Sequence, residues 1–115
     1  MKKYRFVVLS NPTPGMEDEY NKWYNETHMR EVVAVSGIDT AQRFKIHEES
    51  LRPGVNPAHK YLAIYEIETD DISSVMEDLR SRPGTPAMFI SEAFDTSTVS
   101  SLVYEVITDV VKSGD

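Results

Sequence analysis

The 115-residue chain has no cysteine. That excludes a disulfide framework, a thiolate zinc site, an iron–sulfur cluster and a cysteine nucleophile together. Basic side chains are also scarce, 12 Lys and Arg against 19 Asp and Glu, a formal charge of -7. Such a balance repels phosphate backbones and anionic headgroups, so neither nucleic acid nor a membrane surface is an expected partner. No apolar run approaches the length of a membrane span, and Met1-Lys2-Lys3 leads into a stretch too short for a signal-peptide core. A cytoplasmic protein is expected. There is no phosphate-cradling glycine loop and no nucleophile elbow, and the histidines at 28, 47 and 59 lack metal-ligand spacing. Nucleotides and metals are therefore not expected.

What is present fits one domain over residues 1–115. Tyr4 to Ser10 (YRFVVLS) is β-branched and aromatic and stops at Asn11-Pro12-Thr13-Pro14-Gly15, which reads as a strand and its turn. From Met16 to Val35 the residues Met16, Tyr20, Trp23, Tyr24, Thr27 and Val35 form one stripe at a period of 3.6, an amphipathic helix ended by Ser36-Gly37. Ile38 to His47 alternates as a half-exposed edge strand, with Asp39, Arg43, Lys45 and His47 on its polar side. Glu48 to Ala58 reads as a polar loop, and Lys60 to Glu68 as the third strand. Asp70 or Asp71 caps a second helix carrying Ile72, Val75, Met76 and Leu79, which Pro83-Gly84 ends. A short turn from Thr85-Pro86 to Phe94 precedes a long last strand, Val99 to Val111.

The order βαββαβ builds a ferredoxin-like α+β fold: a four-stranded antiparallel sheet with both helices on one face and strands one and three in the centre. Those central strands are apolar on both faces, with Tyr4, Phe6 and Val8 against Val7 and Leu9, and Tyr61, Ala63, Tyr65 and Ile67 against Leu62 and Ile64. Two helices cover one face only. Each large side chain left wet forfeits roughly 1.5 to 3 kcal/mol of burial, so a homodimer packed sheet to sheet is expected.

Over Tyr4 to Phe44 the chain resembles the dimeric α+β barrel superfamily, and within it the EthD-like proteins and related small uncharacterised families. The resemblance is carried by YRFVVLS, by Glu19-Tyr20-Asn21-Lys22-Trp23-Tyr24-Asn25-Glu26-Thr27-His28, and by Gly37-Ile38 to Arg43-Phe44. Met29-Arg30 after the histidine, and Ser36, depart from the pattern. The superfamily holds cofactor-free oxygenases, isomerases, polyketide cyclases and haem-degrading enzymes, so the resemblance implies a fold and leaves the reaction open.

His28 is the first candidate for chemistry. It lies about 80° from Tyr20 on a helical wheel, at the margin of the stripe, where it can exchange a proton or simply bond a carbonyl at the helix end. Tyr20, Tyr24, Tyr61, Tyr65 and Tyr104 are spread over helix and strands. Tyr65, central in its strand, is the hydroxyl best placed to polarise a ligand oxygen. The expected site comprises His28 and Tyr65 as catalytic residues and Tyr20, Trp23, Tyr24 and Tyr61 as the wall for a compact hydrophobic or aromatic molecule. Arg43 and His47 read as edge charges rather than a carboxylate clamp, and His59 as solvated. The chemistry that suits this set is proton transfer next to a carbonyl, as in an isomerase, cyclase or lyase, with a cofactor-free oxygenase as its oxidative variant. A non-catalytic binding protein is the alternative, and haem with His28 as axial ligand a weaker one.

Overall fold

The chain starts as a strand because Lys2–Ser10 is rich in residues that favour an extended backbone, and it leaves the sheet where Pro12 follows Asn11. The computed structural model describes residues 1–115. Its elements are β1 (Lys2–Ser10), a helix α1 over residues 17–33, β2 (Ile38–Lys45), β3 (Tyr61–Thr69), α2 (Ile72–Ser81) and β4 (Ser100–Glu105). The sheet order is β2-β3-β1-β4 with every pair antiparallel, the ferredoxin-like arrangement, with β1 and β3 central and β2 at an edge. Asp71 caps α2, its carboxylate accepting the Ser74 N–H at 3.1 Å.

Cross-strand register puts Tyr4, Phe6, Val8 and Ser10 beside Ile67, Tyr65, Ala63 and Tyr61 on the helix-covered face. All of these except the half-buried Phe6 are buried. On the other face Val7 and Leu9 pair with Ile64 and Leu62, flanked by Leu102 of β4 and Phe44 of β2. No helix covers that face.

Three elements differ from the sequence reading. The helix α1 is continuous but not uniform: α turns over Glu17–Trp23 and Met29–Val33 flank a π turn, Tyr24–His28, closed by the Met29 N–H donating to the Tyr24 carbonyl five residues back. One extra residue in a turn sets everything downstream back by about 100°. His28, expected at the stripe's margin, is thereby turned into it, and Thr27 is only half-buried.

In β2 a bulge at Asp39 shifts the register between Ile38, opposite Ile67, and Thr40, opposite Glu66. Thr40, Gln42 and Phe44 consequently share the uncovered face, and Arg43 lies under α1 instead of among solvent-facing edge charges. The last strand ends at Glu105 instead of Val111, and the residues beyond it are exposed.

Gly37, between α1 and β2, has φ +97°. A Cβ there would come within 2.9 Å of the Val75 side chain of α2. Glycine serves both needs, the left-handed turn and the close approach of the second helix.

Candidate functional site

An aromatic cluster fills the space between α1 and the sheet. From α1 come Tyr20, Trp23, Tyr24 and His28, the last delivered by the π turn; β3 contributes Tyr61 and Tyr65, and β1 contributes Phe6. The sequence-predicted residues are thus brought together, with His28 stacked on Trp23 (ring centroids 4.5 Å apart, planes 20°) and edge-on to Tyr24 at 5.0 Å. The covering element is the segment 83–99, from which Phe94 contacts Tyr20, Trp23, Tyr24 and His28. The Trp23 indole N–H donates to the Phe89 carbonyl at 3.0 Å, and the Phe89 N–H donates to Glu31 Oε2 at 3.2 Å.

The tyrosine hydroxyls divide into two pairs. Tyr20 shares a 2.6 Å hydrogen bond with Ser10 Oγ, and Tyr61 donates to Glu17 and accepts from Asn21, so both are committed. Tyr65 and Tyr24 have only each other, at 3.5 Å, well beyond the roughly 2.7 to 2.8 Å of a good O–H···O bond. They are the hydroxyls free to serve another oxygen. Burial raises the Tyr65 pKa to about 12 and carries Tyr24 well above its ordinary value, so both stay protonated donors at neutral pH.

His28 keeps only 11% of its side-chain surface exposed. Burial first, and the charge of Arg43 second, lower its pKa to about 4, which leaves the imidazole neutral from mildly acidic pH upward. Its Nδ1 faces Glu31 Oε1 at 3.9 Å, too long for a hydrogen bond, and both atoms are buried without another partner. A carboxylate at that distance does not outweigh the burial of the ring. Glu31, three residues on, reads in the sequence as part of the helix's polar side; the π turn and the Phe89 N–H draw it in.

Arg43 crosses the cluster's outer wall. Its guanidinium lies 4.3 Å from the Tyr24 ring centre and 5.2 Å from those of Tyr20 and Tyr61, and it donates to the side-chain oxygens of Asn25 (2.6 Å) and Asn21 (3.0 Å). This is a cation seated on aromatic faces. His47 does not join it: its Nδ1 accepts the Glu49 N–H at an exposed turn, and His59 bonds the Thr98 carbonyl away from the cluster.

The cluster is closely packed. None of the five principal clefts of the surface is lined by His28 or by Tyr20, Trp23, Tyr24, Tyr61 or Tyr65. A haem axial ligand needs a ring nitrogen opening on space for a macrocycle. Trp23 covers one face of His28, Tyr24 and Phe94 lie at its edges and Nδ1 is turned to Glu31, so the closely packed rings do not fit a group as large as a macrocycle. No three His, Asp or Glu side chains converge in a way that could hold a metal ion. No helix is long and apolar enough to cross a membrane.

A buried histidine, two under-satisfied tyrosine hydroxyls and a four-stranded antiparallel sheet under two helices define a ferredoxin-like α+β protein with a polar centre inside an aromatic core. No family model and no curated protein matches the sequence. Solved structures with this fold include an ethyl tert-butyl ether d (EthD) family protein of Bacillus halodurans, 12% identical over 91% of this chain and 99% of that one, with a TM-score of 0.53. At3g17210 of Arabidopsis thaliana is 13% identical, over 95% of this chain and 98% of that one, at a TM-score of 0.55. The heme degrader MhuD of Mycobacterium tuberculosis, solved with two hemes in its active site, is 14% identical, over 94% of this chain and 99% of that one, at 0.55. The likeness is one of fold.

Proposed function

We propose that the chain is a small cytoplasmic enzyme, working as a homodimer, that moves a proton beside the carbonyl of a compact hydrophobic or aromatic molecule without a cofactor. The observation that carries this reading is the buried, neutral His28 whose Nδ1 faces the Glu31 carboxylate and whose ring lies edge-on to Tyr24, which with Tyr65 forms a pair of hydroxyls that have no good partner. Glu31 favours the tautomer with its proton on Nδ1, which leaves the lone pair of Nε2 as the base.

In the step itself, Nε2 takes a proton from the carbon next to the carbonyl. The C–H electron pair becomes the enolate, and its oxygen accepts hydrogen bonds from Tyr65 and Tyr24. Returning the proton to another carbon completes an isomerisation; attack of the enolate carbon on a second carbonyl breaks its C=O π bond, and the alkoxide so formed takes the proton back from Nε2 to complete a cyclisation. Electrons are only rearranged, so no redox partner is required. Phe94 is the one aromatic of the cluster on a segment without regular structure, and a flat substrate takes its place against Trp23 and Tyr20. Tyr61, tied to Asn21 and Glu17, forms the rim.

Pairing is supported by the uncovered sheet face. Val7, Leu9, Leu62, Ile64, Leu102 and Phe44 share it, and its central charges, Arg5 and Glu66, neutralise each other at 3.0 Å. Only 18 of 115 residues are buried in the single chain, a small core for this length that a second sheet enlarges.

The close packing around His28 favours a second reading, a non-catalytic binding protein with a structural histidine. Benzoylacetone, a compact aryl diketone, separates the two. In D2O the wild type is expected to accelerate deuterium uptake at its α-carbon, read by proton NMR. His28→Ala is expected to lose about 100-fold or more of that rate while keeping its circular dichroism, and Glu31→Gln to lose a smaller share with KM unchanged. Equal rates in wild type and His28→Ala would leave the binding reading standing.

A further inference from the structure

We propose that residues 106–111, beyond β4, form an arm that leaves its own chain and packs against a second copy of it. The inference rests on the homodimer reading and adds an element to it. The ladder between β1 and β4 ends at Tyr4 opposite Glu105. Past that point a single backbone hydrogen bond ties the segment to the sheet, from the Val106 N–H to the Lys3 carbonyl at 2.9 Å. The side chains that follow are nevertheless those of a strand. Ile107, Val110 and Val111 are 87%, 80% and 81% exposed, and β-branched apolar residues on an unpaired segment mark an interaction surface.

The shape of the chain agrees. Its radius of gyration is 15.5 Å, against about 13 Å for a compact domain of this length. Two exposed stretches, residues 44–58 and the end of the chain from residue 101, reach outward rather than folding back.

Area and continuity indicate a second copy as the occupant. The ladders run six to nine residues; with four strands about 4.8 Å apart and about 3.3 Å per residue, the open face covers on the order of 500 Å². A standard interface takes roughly 800 Å² from each partner. The arm continues β4, whose Leu102 and Tyr104 lie on that same face. A twofold partner seated on the face is thus the molecule next to the arm, and the arm supplies the missing area.

The test uses the full chain. Sedimentation equilibrium compares wild type with the combined Ile107→Asp, Val110→Asp and Val111→Asp variant, whose substitutions fall outside every packed element. The expected result is a dimer dissociation constant raised about tenfold or more with unchanged circular dichroism. In parallel, a photoreactive benzoylphenylalanine replaces Val110 in a mixture of isotopically light and heavy chains. Light-to-heavy crosslinks are expected. An unchanged dissociation constant, or crosslinks confined within one chain, overturns the arm while the sheet-to-sheet dimer stands. A wild type that stays monomeric at every concentration overturns the homodimer reading and the arm with it.

Discussion

At the scale of single residues, the state of His28 follows from where its ring is placed. Burial removes the water that would stabilise the imidazolium, so the folded chain holds the ring near a pKa of about 4, against 6.5 for the free side chain. Above pH 6.5 the ring is neutral in folded and unfolded chains alike and contributes nothing to pH dependence. Between 6.5 and 4 the unfolded chain takes up a proton that the folded chain refuses, so stability falls as the pH falls, by about 3 kcal/mol across the window. His28→Gln is expected to flatten that part of the stability curve, measured by urea unfolding at half-unit pH steps. A slope equal to the wild type's would show that the ring is not the group responsible. His28 and the tyrosines could be picked out from the sequence because aromatic residues at helical and strand spacing announce a shared core. Glu31 and Phe94 could not, since one reads as a polar helix position and the other lies where no periodicity exists.

Secondary-structure elements carry the next layer of causes. The βαββαβ order, the central pair β1 and β3 and the edge position of β2 are all readable from hydrophobic period and turn residues. Two local irregularities are not, because a π turn and a β-bulge each add one residue without leaving a sequence mark. The first turns His28 inward and the second turns Arg43 under α1. The end of β4 is the third departure: Val106 to Val111 has strand character but finds no neighbouring strand within its chain. The packing of α2 depends on Gly37, where both the positive φ and the 2.9 Å approach of Val75 exclude a side chain. Gly37→Ala is expected to cost about 2 kcal/mol or more, read as a lower urea midpoint with an unchanged slope. A cost under a few tenths would show that the two helices tolerate separation.

For the molecule as a whole, fold and chemistry are linked through burial. The sheet carries helices on one face, and the aromatic cluster beneath them keeps water from His28, Tyr24 and Tyr65. The same exclusion lowers the histidine and raises the tyrosines, which leaves a neutral imidazole and two protonated hydroxyls at one pH, the states the proposed proton transfer needs. The other face is left apolar and open, so the working unit is read as two chains. The most direct measurement of this account is the pH–rate profile of kcat/KM for deuterium uptake by benzoylacetone in the wild type. The predicted profile is level from about pH 5 to 8 and falls tenfold per unit below about 4, the limb of a buried, neutral His28. A fall centred at 6.5 or above, or a profile unaltered in His28→Ala, would contradict it.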